Sequence, residues 1–232
     1  MNKKFLLLIL QQSKEEPFLE LAELKEVMTE NLIYKGLKEL AQYGINFQPT
    51  INGDYQISRE QRAQIAILAA QEGLEFEKVI RELSWQEFEL LTTFVGDEFG
   101  YEALTGLNFS TNERKYQIDV ILKRQPYIFL IDCKHLGGTG KKSVLKKAVE
   151  EQNLRVKAVI QEIESLEEEL QIQSWNQANL IPMIVTWLDE ALFFHKRVPI
   201  VPFSKLRSFF QNFYLYFEDI KQWSIELTRD KR

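Results

Sequence analysis

Apolar residues recur at three- and four-residue spacing over the first third of the chain. Phe5 to Leu10 begins one helix, and Pro17 opens a second in which Leu19, Leu21, Leu24 and Val27 keep mostly helical intervals. A third helix is predicted from about Glu30 to Tyr43, with Leu32, Leu37 and Leu40 turned inward and Gly44 where a left-handed residue ends a helix. Two extended stretches, Ile45 to Thr50 and Asp54 to Ser58, meet at Asn52-Gly53, the strongest short hairpin signal. Ser58 and Gln61 read as a capping box before a helix over Ala63 to Ala70, which Gly73 closes. Glu75 to Leu83 reads as a short connecting helix. No Gly/Ser or Pro linker separates it from the next segment.

Beyond residue 82 the pattern changes to alternating helices and strands. A helix is predicted over Trp85 to Phe99, with strands near Tyr116 to Lys123 and Tyr127 to His135. A long helix comes next, from about Lys142 to Gln171, then a strand over Leu180 to Trp187. Short strands around Ala191 to His195 and Val198 to Val201, and a helix from Ser204 to about Phe213, complete an α/β pattern. The chain thus divides into residues 1–73, mainly helical, a connector over 74–82, and an α/β domain over 83–232.

Three helices and a hairpin in this order resemble a winged helix-turn-helix domain. That resemblance implies a recognition helix with Tyr34, Lys35, Lys38 and Gln42 on its outer face, although Glu30 and Glu39 nearly cancel its charge. The other reading of such a domain is a dimerisation or docking module.

The 232 residues are ample for a buried core, and one cysteine, Cys133, excludes a disulfide framework. With only two histidines, His135 and His195, any metal must be held by oxygen. The apolar run Phe5 to Leu10 is too short for a secretory signal or a membrane span, so no membrane partner and a cytoplasmic location are expected. Net charge is −5, which on average argues against a polyanion. From Arg114 to Lys157, however, eleven basic residues stand against four acidic ones, a local charge of +7. Such a cationic face on an acidic protein suits a polyanion docking at one place.

The chemistry is concentrated between Gln117 and His135. Two apolar runs flank Gln125-Pro126, and Pro belongs at such a break because it cannot donate into a strand ladder. Asp119 and Asp132 are equidistant from this turn, so a symmetric hairpin makes them cross-strand neighbours, where like charges repel. Lys134, two residues past Asp132, shares that face, and Cys133 points the other way. Burying two carboxylates costs several kcal/mol in order of magnitude unless an ion or hydrogen bonds compensate. A hard divalent cation supplies that compensation, since Mg²⁺ takes oxygen ligands, keeps several waters and is held by one or two carboxylates.

Asp119, the following strand and Asp132-Cys133-Lys134 resemble the PD-(D/E)xK, or restriction-endonuclease-like, nucleases, with Mrr-type restriction endonucleases and archaeal Holliday junction resolvases nearest in character. Ile118 stands where the name has proline, a position that carries no ligand. The resemblance covers roughly residues 83 to 202. It implies a mixed central sheet flanked by helices and a Mg²⁺-dependent endonuclease acting on DNA, with Mn²⁺ as substitute. In that scheme Glu89, Asp119, Asp132 and the Cys133 carbonyl hold the metal, and Lys134 positions the attacking water. Glu89 enters because the family carries a glutamate on the helix before the first strand. On a helical wheel it borders the apolar stripe of Phe88, Thr92, Val95 and Phe99, whereas Glu87 and Glu98 point away and Glu87 forms a capping box with Ser84.

The turn His135-Leu-Gly-Gly-Thr-Gly140 is expected to lie near the scissile strand, with Lys141, Lys142, Lys146 and Lys147 on backbone phosphates. Gln152 is read as a solvated helical residue, and His135 as a strand-end histidine in solvent. Cutting both strands of a duplex with one site per chain favours a homodimer. The alternative function is a non-catalytic DNA-binding regulator whose nuclease-like domain is a scaffold.

Overall fold

A computed structural model describes residues 1–135 and 141–227. They belong to two compact units, Met1–Leu91 and Thr92–Arg232, which divide inside a helix beyond the residue-82 boundary suggested by the sequence. No helix among the described residues is long and apolar enough to cross a membrane.

The first unit opens with α1 (Lys3–Gln12), where Asn2 Oδ1 accepts the Lys4 and Phe5 N–H groups that the helix start leaves unpaired. It continues through β1 (Phe18–Leu19), α2 (Leu21–Val27), α3 (Glu30–Gln42), β2 (Gln48–Pro49), β3 (Tyr55–Gln56), α4 (Arg59–Gln71) and α5 (Phe76–Ile80). The strands form an antiparallel sheet in the order β1-β3-β2. Pro17 therefore does not open a helix: its carbonyl accepts Ile57 N–H at 2.9 Å and the chain is drawn into pairing with β3. That partner is about forty residues away in sequence, beyond the reach of a periodicity argument.

The hairpin strands are shorter than the sequence suggested, but the turn is as read, with Gly53 at φ 89°. Gly44 ends α3 at φ 80°, and the Ser58–Gln61 capping box has both its hydrogen bonds. The buried face of α3 carries Ile33, Gly36 and Leu40, while Leu32 is exposed and Leu37 half-buried. Gly36 sets that rotation. The Phe5 ring lies against it so closely that any Cβ there would overlap the ring.

Arg62 of α4 is buried and fully engaged. Its Nε donates to Glu87 Oε1 at 2.5 Å, Nη1 donates to Leu10 O at 2.8 Å and to the Ser13 hydroxyl, and Nη2 donates to Glu82 O. Glu87 lies in the first turn of α6 (Trp85–Glu98), where it also completes the capping box with Ser84. It is buried, contrary to the wheel reading, because a single-helix wheel cannot register a cation contributed by α4.

The second unit contains the end of α6, then β4 (Glu102–Ser110), β5 (Lys115–Arg124), β6 (Tyr127–Lys134), α7 (Lys142–Gln161), α8 (Ile163–Leu166), β7 (Gln177–Thr186), β8 (Phe194–His195), β9 (Val198–Pro202), α9 (Phe203–Gln211), α10 (Phe213–Tyr216) and β10 (Trp223–Glu226). It is a mixed α/β architecture. The strand order is β4-β5-β6-β7-β9-β8 with β10 also on β7, and β6, β7 and β9 run parallel while the other pairings are antiparallel. The predicted long helix is interrupted after Gln161 instead of running to Gln171.

Helices cover both faces of this sheet. On one, Leu145, Val149, Val156 and Val159 of α7 pack on Ile121, Leu130, Leu180 and Ile184. Each such apolar side chain removed from water contributes about 1.5–3 kcal/mol. On the other, Phe129 of β6 sits among Tyr101, Phe209, Phe210 and Phe213 with ring centroids 5.1–6.4 Å apart. Gly96 of α6 lies against Leu122 on that face, where a Cβ would stand 2.5 Å from Leu122 Cδ2.

Candidate functional site

Strand register brings Asp119 to Asp132. Paired residues of β5 and β6 run from Arg124–Tyr127 to Val120–Ile131 about the Gln125-Pro126 turn, and one more step sets Asp119 opposite Asp132. This is the symmetric hairpin that the sequence predicts. Pairing ends there, and the carboxylate replaces a strand partner: Asp119 Oδ2 accepts Cys133 N–H at 2.9 Å. β6 meanwhile stays paired with β7 through Lys134–Thr186. Alternation turns Cys133 to the opposite face, where its Sγ is 3.9 Å from Thr92 Oγ1 of α6.

Asp132, 2% exposed, faces α7. Its Oδ1 accepts from Lys134 Nζ and from Arg155 Nη1, each at 2.9 Å, and its Oδ2 is 2.8 Å from Lys134 Nζ. Arg155 Nη1 also donates to Gln152 Oε1 at 3.2 Å, and Gln152 Nε2 donates to Leu130 O at 2.6 Å. Gln152 is thus not a solvated helical residue. It is completely buried, its amide oriented by a backbone carbonyl on one side and a guanidinium on the other.

The charge is unevenly shared. Two cations attend Asp132, whereas Asp119 has only the Cys133 N–H among the described residues. Burial pushes the Asp119 carboxyl up to about 6, with the neighbouring Asp132 charge adding to the effect; the Cys133 N–H, Lys134 and Arg155 oppose it. Two adjacent buried carboxylates are an oxygen donor pair to which a hard cation is suited. The residues fit the divalent metal that the family resemblance implies. Asp119, Asp132 and the Cys133 carbonyl would hold it, and water would complete the shell, since no cluster of three or more His, Cys, Asp or Glu occurs among the described residues.

Asp119, Asp132, Cys133 and Lys134 are brought together within the second unit. Glu89, 7% exposed on α6, belongs to the first unit, and its assignment rests on its wheel position and the family resemblance. Lys141, Lys142, Lys146 and Lys147 are exposed at the start of α7. Residues 136–140 of the proposed phosphate-binding turn lie outside the described residues. His135 stands with its ring centroid 4.0 Å from that of Trp187. On α3, Lys35 and Lys38 are exposed with Tyr34 and Gln42, and Lys35 Nζ is 3.9 Å from Glu39 Oε1.

Sequence reasoning missed Arg155 as a site residue and counted it only as charge. The signal was available. Among the buried residues of α7 only Gln152 and Asn153 are polar, and Arg155 stands three residues beyond Gln152 on a neighbouring position of the helix surface.

No family model matches the chain. An uncharacterized protein of Archaeoglobus fulgidus is 23% identical over 135 residues, 58% of this chain and 95% of its own length. Among solved structures, the protein VC1899 of Vibrio cholerae is similar across 94% of this chain, with 14% identity and a TM-score of 0.39. A protein of unknown function, AF1548, is similar across 52% of this chain with 16% identity and a TM-score of 0.29. The chain spans 51% of the length of the first and 58% of the second.

Proposed function

We propose that this chain is a metal-dependent nuclease that hydrolyses DNA phosphodiester bonds with a metal-activated water, on a restriction-endonuclease-like domain. One observation carries the reading: two adjacent carboxylates and a lysine share a buried face where the β5–β6 pairing ends. A fold has no need of such a cluster, because apolar residues at these positions would avoid the desolvation of two like charges.

Mg²⁺ or Mn²⁺, when bound, supplies Lewis acidity and lowers the pKa of a coordinated water. The rest falls to the chain's own groups. Asp119, Asp132 and the Cys133 carbonyl would hold the ion, and the family resemblance names Glu89 as a further ligand. Lys134, already hydrogen-bonded to Asp132, orients the attacking water and offsets charge that develops at phosphorus. Lys141, Lys142, Lys146 and Lys147 neutralise flanking phosphates. The order α1-β1-α2-α3-β2-β3 of the first unit and the exposed Tyr34, Lys35, Lys38 and Gln42 support a winged-helix module contacting DNA.

The test is incubation of the pure protein in Mg²⁺ or Mn²⁺ with labelled duplex, junction, flap, single-stranded DNA and RNA. Cleavage of at least one DNA form is expected. Gel-shift binding of DNA without cleavage of any form refutes the nuclease reading and leaves the regulator.

A further inference from the structure

β4 and β5 share a reversal that regular pairing does not contain. Their register runs Leu104–Ile121, Thr105–Val120 and then Leu107–Ile118, and the rung between Gly106 and Asp119 is missing. The register is the same on both sides of this gap, yet the faces are not. Leu104 and Leu107 on β4, and Ile118 and Ile121 on β5, all belong to or pack against the one apolar cluster that holds Val156 and Val159 of α7. Residues three apart on a regular strand point to opposite faces, so each strand reverses its alternation once between these pairs. β4 does so at Gly106, whose φ of 68° lies in the left-handed region, and Asn108 Nδ2 donates to Gly106 O at 2.7 Å across the kink. A Cβ at Gly106 would meet nothing within 4 Å beyond its chain neighbours, so the backbone angle, not space, calls for glycine. β5 reverses opposite it, where Asp119 leaves the β4 ladder at the same step at which the β5–β6 pairing ends.

We propose that Gly106 is a positioning residue for the site: its left-handed backbone lets β4 reverse in step with β5, and this paired reversal turns the Asp119 carboxylate into the ladder position where it holds Cys133 N–H. The rungs on either side tie the two strands together, so β5 reverses only as far as β4 follows. A residue with a branched Cβ is sterically excluded at this φ and would draw β4 back toward regular alternation. A straightened β5 returns Asp119 to a rung with residue 106 and takes its carboxylate away from the Cys133 N–H, which it now accepts at 2.9 Å. Cys133 lies between Asp132 and Lys134, so this one hydrogen bond fixes Asp119 relative to both of them. The proposal rests on the reading of Asp119 as a site carboxylate and adds to it the glycine that aims it.

Amide hydrogen exchange of the full chain in EDTA, followed by NMR, reads that hydrogen bond directly. Cys133 N–H, scaled to the β5 and β6 amides between Val120 and Ile131, should exchange about tenfold faster or more in Gly106→Val, the scale of one hydrogen bond to a charged group. Gly106→Asn should stay close to the wild type, since asparagine tolerates the left-handed region. Asp119→Ala should show the same loss as Gly106→Val, and adding Gly106→Val to it should accelerate Cys133 no further. A merely structural glycine would speed all these amides together in every background. Unchanged Cys133 exchange in Gly106→Val, an equal loss in Gly106→Asn, or a full further loss in the Asp119→Ala background overturns the proposal. If Gly106→Val does not fold, Gly106→Ala carries the same comparisons, with a several-fold acceleration expected and an unchanged rate overturning it. Cleavage assays separate this proposal from the nuclease reading. A wild type that cuts no DNA form overturns that reading alone, because exchange at Cys133 needs neither metal nor substrate.

Discussion

Replacing Asp119 by Asn should make the metal-free protein more stable. Asp119 is buried beside Asp132, and its carboxyl is pushed from 3.8 up to about 6, first by burial and then by the Asp132 charge. A displacement of that size corresponds to about 3 kcal/mol. The folded state binds this proton more tightly than the unfolded state. The penalty is therefore complete above about pH 6, shrinks as pH falls through that value, and is gone below the unfolded value of 3.8. Asparagine is neutral and still presents an oxygen to the Cys133 N–H. Urea unfolding in EDTA at several pH values between 4 and 7.5 measures the effect, and subtracting variant from wild type cancels the other carboxyl groups. The variant should exceed the wild type by up to about 3 kcal/mol at pH 7.5 and match it near pH 4. Saturating Mn²⁺ should narrow or reverse the gap, because only the wild type gains the linkage term. Parallel pH profiles, or a variant no more stable than the wild type at pH 7.5, would refute the claim that the two carboxylates are held together at a cost.

Three other outcomes are expected. Arg62→Met strands Glu87 in the first unit without its buried partner and should cost about 3–5 kcal/mol in urea unfolding, with part of the loss recovered when Glu87 is replaced as well. Gly96→Ala drives a methyl into Leu122 and should cost about 1–3 kcal/mol, read as a lower thermal midpoint. If the lysines that open α7 contact phosphates, changing Lys141 and Lys142 to Ala should flatten the logarithmic salt dependence of DNA binding by roughly 2, with Mn²⁺ affinity unchanged, and changing Lys35 and Lys38 should do less.

The features legible in the sequence were local. The Asn52-Gly53 turn, the Ser58–Gln61 and Ser84–Glu87 capping boxes and the end of α3 at Gly44 each depend on residues a few positions apart. The register that opposes Asp119 to Asp132 was equally accessible, since one tight turn fixes a whole hairpin. Non-local pairing was hidden. β1 is two residues held by β3, and β10 is a short strand added to β7 from the end of the chain. β4 escaped notice because most of its residues are exposed and Gly106 interrupts its pattern. Glu87 and Gln152 were misjudged for a related reason. Each is buried by a partner from another element, Arg62 for the first and β6 for the second, and a wheel drawn on one helix does not contain it.

The most direct measurement of the central claim is the rate at which the pure protein cleaves an end-labelled DNA substrate with Mg²⁺ and with EDTA. It compares the wild type with Asp132→Ala and Lys134→Ala, each shown to be folded. Cleavage that requires the metal and falls at least about a hundredfold in both variants is the predicted result. Cleavage that persists in EDTA, or at the wild-type rate in either variant, would show that the chemistry does not reside at the paired aspartates and lysine.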